Sequence, residues 1–119
     1  MKKKKFGKVI IIGIPAILIL LVAGMFVWSA TGTYPAGTVA AAALESTDSV
    51  TVTQDKYIVF TPGEAPTTGL IFYPGGLVEP AAYAPVLHEI AESGVLVVIT
   101  PMPLNLAIFN PNAANAVME

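Results

Sequence analysis

The sequence predicts an α/β protein that is held in a membrane by one N-terminal helix. Three observations predict this fold class: an uncharged apolar stretch of bilayer length, two short β-branched strands, and a strand–helix–strand pattern between two continuous apolar runs. The composition agrees, because 55 % of the residues are hydrophobic and only 12 % are charged, whereas a soluble domain carries about 25 % charged residues. With 119 residues, the chain is too short for two ordinary domains.

Residues 9–28 form the predicted transmembrane helix. None of them is charged or strongly polar, and at 1.5 Å per residue such a helix is about 30 Å long, the thickness of a bilayer core. Five of the six lysines precede it, in a basic tail at 1–8 that is predicted to stay cytoplasmic, and no positive charge follows until Lys56. The remainder is therefore predicted to be extracytoplasmic, in a single-pass protein of the cell membrane. The alternative is a cleaved signal peptide, whose apolar core is usually about 7–15 residues long.

Residues 29–49 are predicted to be a spacer between the membrane and a body at 50–119. The spacer is rich in small and polar residues, and 38–44 has the propensity for a short helix. The body begins with two alternating β-branched segments, 50–53 and 57–61, which predict a β-hairpin.

Two continuous apolar runs follow, at 69–73 and 95–100. Continuous rather than alternating hydrophobicity is typical of parallel strands that are buried on both faces. Between them the sequence predicts a helix that begins near Ala84 and ends at Gly94. Its predicted apolar stripe consists of Tyr83, Val86, Leu87 and Ile90. The pattern predicts a β–α–β unit.

The segment 112–119 predicts a further helix, capped by Asn110 or Asn112. In a β–α–β pattern such a helix leads to another strand, and none follows in this sequence. We therefore expect 50–119 to be an apparently truncated first part of a larger α/β domain, with a bare, apolar sheet edge at 69–73.

Three stretches carry a resemblance to a known family. They are residues 68–80, which include the loop Tyr73-Pro74-Gly75-Gly76-Leu77; Tyr83-Ala84-Pro85; and residues 94–107, which include Pro101-Met102-Pro103-Leu104-Asn105. Tyr34-Pro35 in the spacer agrees with the same resemblance. Together they resemble the N-terminal portion of the bacterial α/β-hydrolase fold-5 family, which is similar to dienelactone hydrolases and small esterases. The resemblance covers about residues 30–119 and implies the first part of an α/β-hydrolase sheet.

The resemblance implies a role for the glycine loop. In this fold the turn after the third strand supplies one backbone N–H to the oxyanion hole, and glycine lets the backbone approach a substrate closely. By position, the donor is predicted to be Gly76 or Leu77, supported by Tyr73, Pro74 and Gly75.

The chain departs from the family at the nucleophile. The family places its serine in a G-x-S-x-G turn, followed by an acid and a histidine, and this sequence contains no such turn. No catalytic residue of the triad is therefore expected in this chain, and His88 is predicted to be a solvated helix residue. Met102 and Asn105 follow a parallel strand, where α/β folds bind ligands, so they are candidates to line a pocket.

The sequence indicates no metal, cofactor or nucleic-acid site. The chain has no cysteine, no phosphate-binding glycine loop and no metal-ligand spacing, so no cofactor or metal is predicted. Glu79, Glu89 and Glu92 are predicted to be solvated helix carboxylates. The basic tail on an acidic body does not favour nucleic-acid binding.

The sequence is compatible with two functions. The first is the N-terminal part of a membrane-anchored hydrolase, whose full-length parent acts on an ester or related acyl substrate. The resemblance implies an enzyme, but without the triad the chain alone is predicted to be inactive. The second is a small membrane-anchored interaction protein, or a half-domain completed by a partner chain that pairs with the bare sheet edge.

Overall fold

The computed structural model describes residues 2–119, and the side chains of residues 2–6 and 8 are outside the description. The lysine side chains of the predicted basic tail therefore lie outside the part that the structure describes. The chain divides into two compact units, Met1–Gly32 and Thr33–Glu119.

The first unit is one helix, α1 (Lys2–Gly32). Its segment Val9–Gly32 is long and apolar enough to cross a membrane, and an 18-residue window within it has a mean hydropathy of 2.9 and no residue buried inside the protein. The helix continues beyond residue 28, the predicted end of the apolar segment, because Ser29, Ala30 and Thr31 form a further helical turn in which the Thr31 hydroxyl donates to the Val27 carbonyl at 2.8 Å. Pro15 lies inside α1, where a membrane helix tolerates it.

The second unit is a mixed α/β fold. Its helices are α2 (Thr38–Ala42), α3 (Ala84–Glu92) and α4 (Asn115–Met118). Its strands are β1 (Val50–Gln54), β2 (Ile58–Pro62), β3 (Gly69–Phe72) and β4 (Leu96–Ile99). The strands form one four-stranded sheet in the order β1-β2-β4-β3.

Pairing in the sheet confirms the predicted hairpin and the predicted parallel pair. β1 and β2 are antiparallel, with Val52 opposite Phe60, and β3 and β4 are parallel, with Leu70 opposite Val97. β2 also pairs antiparallel with β4, with Phe60 opposite Val97. Within the described residues, β3 therefore has a neighbour on one side only, as the sequence predicts for 69–73.

Helix α3 packs on the sheet through a stripe that overlaps the predicted one, since Leu87 is buried and Tyr83 and Ile90 are partly buried against the core. Its buried residues are Ala84, Leu87, His88 and Ala91, whereas Val86 is 52 % exposed. The two alanines let the helix approach the sheet closely, so packing selects the stripe that contains them. The core under α3 is formed by Val50, Phe60, Val97 and Ile99 together with Ala84, Leu87 and Ala91. The prediction that α3 begins near Ala84 is confirmed, and Gly94 follows its end with a φ of +94°, a conformation that suits glycine.

The predicted helix at 112–119 is shorter than expected. A short 3-10 helix spans Ala107–Phe109, and turns continue through residue 114. α4 begins only at Asn115, and its N-cap Ala114 makes no side-chain capping bond. The prediction that Asn110 or Asn112 caps this helix is therefore wrong. Tyr73 explains the late start, because its hydroxyl accepts the N–H of Ala114 at 2.7 Å and so binds one of the donors that a capping side chain would satisfy.

Candidate functional site

The candidate site lies at the carboxyl edge of the two parallel strands. β3 and β4 run in the same direction, so the loops that follow them, 73–79 and 100–106, meet at one edge of the sheet. These loops contain the glycine loop and the two pocket candidates. Thr100 begins the second loop, and its N–H and hydroxyl both donate to the Phe72 carbonyl, at 3.2 and 3.3 Å. The bases of the two loops are therefore joined.

Tyr83 fixes the start of the glycine loop. Its hydroxyl accepts the N–H of Gly75 at 3.0 Å, and its ring packs on Phe72 with 4.8 Å between ring centroids. A Cβ atom at residue 75 would lie 2.5 Å from the same hydroxyl. The close approach of Tyr83 therefore requires glycine at this position, which is a packing reason separate from any approach of a substrate.

The two oxyanion-hole candidates have different surroundings. The N–H of Leu77 donates to the Asn105 carbonyl at 2.8 Å, and Leu77 has a φ of +55°. Gly76 is exposed, and no hydrogen bond of its N–H to another described residue is found. A Cβ atom at Gly76 would lie 3.4 Å from Leu106 Cδ2. In this conformation the Leu77 N–H donates to a carbonyl of the protein itself. The Gly76 N–H has no such partner among the described residues and is available to a ligand.

Asn105 joins three segments of the chain. Besides accepting from Leu77, it donates from Nδ2 to Thr33 Oγ1 at 3.0 Å, and its own N–H donates to the Met102 carbonyl at 3.0 Å. Its φ of +53° is a left-handed conformation that asparagine tolerates better than most residues. The side chain of Asn105 thus has a structural bond, and Met102 is 7 % exposed. A role for either residue in lining a pocket stays a prediction.

The segment after α1 is hydrogen-bonded along the glycine loop. Tyr34 N–H donates to the Leu77 carbonyl at 2.7 Å, and Tyr34 C=O accepts the Glu79 N–H at 2.9 Å, which forms a parallel bridge between Tyr34 and Val78. The Glu79 carboxylate accepts the Ala36 N–H at 2.6 Å. Glu79 is exposed, as predicted, but it precedes the short 3-10 helix Pro80–Tyr83 and does not lie within a helix. Tyr34 and the glycine loop, which both agree with the family resemblance, are therefore hydrogen-bonded to each other.

Tyr73 extends the same network to the end of the chain. Its hydroxyl donates to the Pro111 carbonyl at 3.0 Å and accepts the N–H of Ala114. Pro74, the next residue, is buried. The residues predicted to support the glycine loop, Tyr73, Pro74 and Gly75, are thus all anchored, although nothing in the sequence indicates their particular partners.

His88 is buried, not solvated, so the sequence-based prediction for it is wrong. It is 7 % exposed, its Nδ1 lies 2.9 Å from the Ala43 carbonyl, and its ring packs edge-on against Phe60. Nε2 is buried without a hydrogen-bond partner among the described residues, 3.8 Å from a Glu92 carboxylate oxygen. Neither ring nitrogen holds a serine hydroxyl. The spacing of Ala84, Leu87, His88 and Ala91 is a second possible helical stripe, and it is the signal that sequence analysis missed.

Acidic and basic residues of the described part do not form a metal centre. No group of three or more histidine, aspartate or glutamate residues is placed to hold a metal ion within the described residues. At the carboxyl edge, the backbone N–H of Gly76 is a donor without a partner among the described residues.

Comparison with known proteins supports the fold. Residues 69–119 match the model of the alpha/beta hydrolase family. Searches of curated proteins and of solved structures gave no match. The matched residues begin at β3 and include the glycine loop, α3 and β4, which form the observed parallel β–α–β unit. The segment 69–119 is therefore similar to part of an alpha/beta hydrolase domain.

Proposed function

We propose that this chain is the first part of a membrane-anchored, outward-facing hydrolase of the α/β fold that acts on an ester or related acyl compound. The observation that carries the proposal is the Gly76 N–H, which has no hydrogen-bond partner among the described residues and lies in a loop whose neighbouring N–H groups are bound. The family match at 69–119 gives that loop its place in the fold.

The arrangement suits oxyanion stabilisation. When a nucleophile attacks an acyl carbon, the carbonyl oxygen gains negative charge, and a fixed N–H aimed at that oxygen lowers the barrier without having to reorganise. The bonds of Gly75 to Tyr83 and of Leu77 to Asn105 hold the backbone on both sides of Gly76. A serine, its histidine base and an acid would come from sequence outside these 119 residues or from a second chain, because no G-x-S-x-G turn is present here.

Membrane attachment is the second part of the proposal. The segment Val9–Gly32 has the length and composition of a membrane span, and the lysines at 2–5 and 8 would hold its N-terminus on the cytoplasmic side. The body from Thr33 onward would then be extracytoplasmic.

The test compares two substitutions at Gly76 in the gene expressed with its native downstream sequence. Gly76→Ala keeps the N–H and adds a Cβ at an ordinary contact distance, whereas Gly76→Pro removes the N–H. In an assay of small-ester hydrolysis by membrane fractions, we expect Gly76→Pro to lower kcat about 10²–10³-fold, with Gly76→Ala close to the parent. Equal losses in the two variants would refute the role of Gly76.

The 119-residue chain alone supplies the complementary control. We expect it to be inactive, so ester hydrolysis by the purified chain above that of its own Gly76→Pro variant would contradict the proposal. The intact mass of the native product from its source cells comes first, because a mass near 12.4 kDa directs the search for the triad to a partner chain. A larger mass directs it to a serine beyond Glu119.

A second candidate function is an interaction protein completed by a partner strand. The specific observation that favours it is β3, which pairs with β4 alone within the described residues and so presents one edge of backbone N–H and C=O groups for pairing. A fragment 33–119 that is monomeric, soluble and cooperatively folded would count against the need for such a partner.

A further inference from the structure

The single histidine of the sequence is buried with one ring nitrogen unsatisfied. His88 is 7 % exposed, and its Nδ1 lies 2.9 Å from the carbonyl oxygen of Ala43. Because a carbonyl only accepts, Nδ1 carries the hydrogen, and the neutral ring then has its lone pair on Nε2. Nε2 is buried without a hydrogen-bond partner among the described residues. A buried acceptor without a donor costs free energy, so this atom is a candidate for contact with a ligand.

The Glu92 carboxylate faces this nitrogen but cannot satisfy it. Glu92 Oε1 lies 3.8 Å from Nε2, which is longer than a hydrogen bond, and an ionised carboxylate has no hydrogen to donate. A single nitrogen donor at about 2.9 Å from each atom would fit this separation and bond to both. The Glu92 side chain is 48 % exposed, so it can rotate to admit such a donor. A donor that also carries positive charge would bind the carboxylate most strongly.

The two side chains line an open cavity of about 330 Å³ between α2 and α3, which we call the α2–α3 groove. Its lining combines apolar and acceptor groups, namely Val39, Ala42 and Pro85 on the one hand and His88, Glu89 and Glu92 on the other. A ligand with an aliphatic stem and a cationic head matches this combination, because the stem packs on apolar surface while the head reaches polar groups.

The surface around Glu92 is acidic. A second open cavity, of about 560 Å³, shares Glu92 with the groove and is also lined by Asp48 and Glu64. From residue 9 onward the sequence has eight acidic residues and one lysine, Lys56. Lys56 lies in the turn between β1 and β2, whereas the second cavity is lined by Pro62 at the other end of β2. The carboxylates around Glu92 therefore favour a cationic ligand.

We propose that the α2–α3 groove binds a primary ammonium group on an aliphatic stem. The ammonium donates to His88 Nε2 and to the Glu92 carboxylate, and Glu89 adds negative charge beside it. Two sources share this chemistry, a free alkylamine and the lysine side chain of another protein. The inference is independent of the proposed hydrolase function, because these residues belong neither to the glycine loop nor to the loop at 100–106.

The test observes His88 directly. Because the sequence has one histidine, labelling histidine with ¹⁵N gives ring signals from a single residue in NMR spectra of the 119-residue chain in detergent micelles. We expect n-butylamine, added at one fixed and mildly alkaline pH, to shift the Nε2 signal in a saturable way. The matched probe n-butyltrimethylammonium has the same charge and stem but no N–H, so we expect it to leave the signal unchanged. Equal responses to the two probes would refute the hydrogen-bonded site.

Two variants separate the groove from a general effect of charge. Glu92→Gln removes the charge and supplies an amide N–H that can itself bond to Nε2, so we expect the Kd for n-butylamine to rise about tenfold or more. Glu45→Gln removes the same charge from an exposed residue outside the groove lining, so we expect a change of at most about twofold. Both residues are exposed, and we expect both variants to fold. Equal weakening by the two would refute the site.

The remaining outcomes concern the state of the ring and the source of the amine. If both ring nitrogens are protonated before any amine is added, His88 itself donates to Glu92, and the inference is refuted. No response to n-butylamine would refute it as well. A second titration uses N-acetyl-lysine methylamide. Binding of both probes is expected if the site takes the lysine side chain of another protein, whereas binding of n-butylamine alone assigns the groove to free amines.

Discussion

The N–H of Leu77 donates to the carbonyl oxygen of Asn105 at 2.8 Å, so the loops after the two parallel strands are held together by a backbone bond. Both residues have positive φ values, +55° and +53°. The N–H of Gly76 lies between two N–H groups that are hydrogen-bonded, those of Gly75 and Leu77, and itself has no partner among the described residues. The conformation of the glycine loop thus depends on a residue of the other loop, 28 positions away from Leu77 in sequence.

Asn105 is predicted to stabilise this arrangement in two separable ways. Asn105→Gly loses the bond to Thr33 but keeps the left-handed conformation, so we expect a cost of about 1 kcal/mol. Asn105→Ala adds the strain of a Cβ at positive φ, so we expect about 2–3 kcal/mol in total. Thermal unfolding in detergent micelles measures both, and faster hydrogen exchange at the Leu77 amide should accompany each loss. An alanine variant as stable as the glycine variant would contradict the conformational term.

The contact between Gly75 and Tyr83 predicts a coupled pair of substitutions. Gly75→Ala places a Cβ against the tyrosine hydroxyl, so we expect it to destabilise the fold by about 1–3 kcal/mol. Tyr83→Phe removes one hydrogen bond and should cost about 0.5–1.5 kcal/mol. In the double variant the nearest remaining ring carbon lies at 3.8 Å, an ordinary contact. A double-mutant cycle of unfolding free energies should therefore show a favourable coupling of about 1 kcal/mol or more, and strict additivity would refute the contact.

His88 is predicted to stabilise the packing of α2 on α3 through Nδ1. Since the Ala43 carbonyl only accepts, Nδ1 carries the hydrogen. Asparagine places an amide N–H near the position of Nδ1, whereas glutamine places it near Nε2. Both variants lose the ring contact with Phe60, but we expect His88→Gln to be less stable than His88→Asn by about 1 kcal/mol. Chemical denaturation under identical conditions measures the free energy of unfolding of both variants. A more stable glutamine variant would show that Nε2 makes the important contact.

Insertion of the apolar segment is predicted to fail when a charge is placed at its centre. An arginine there costs about 2.5–3.5 kcal/mol on insertion scales, so Leu20→Arg should reduce the fraction of the chain that stays in membranes after carbonate extraction. Val39→Arg is the matched control, because Val39 is 72 % exposed and lies outside the segment. Equal retention of both variants would argue against a single-pass anchor.

Several elements could be predicted from the sequence because local patterns determine them. The length of the uncharged stretch predicts a membrane helix, the alternation at 50–61 predicts the hairpin, and the apolar runs at 69–73 and 95–100 predict the parallel pair, although only β4 is buried and β3 is partly exposed. The family resemblance also depends on short local motifs, and the match at 69–119 supports it. In each case the signal lies within a few consecutive residues, where steric preference and hydrophobic periodicity act.

Contacts between distant segments could not be predicted in the same way. α3 presents two stripes of similar apolar content, and only packing on the sheet selects the one with Ala84, His88 and Ala91. The sequence likewise leaves Gly76 and Leu77 equivalent as oxyanion donors. Tertiary structure separates them, because the Asn105 carbonyl, 28 residues away from Leu77 in sequence, accepts one N–H and not the other. Local residue patterns thus determine which elements form, whereas close packing and hydrogen bonding between remote residues decide which atoms remain available for chemistry.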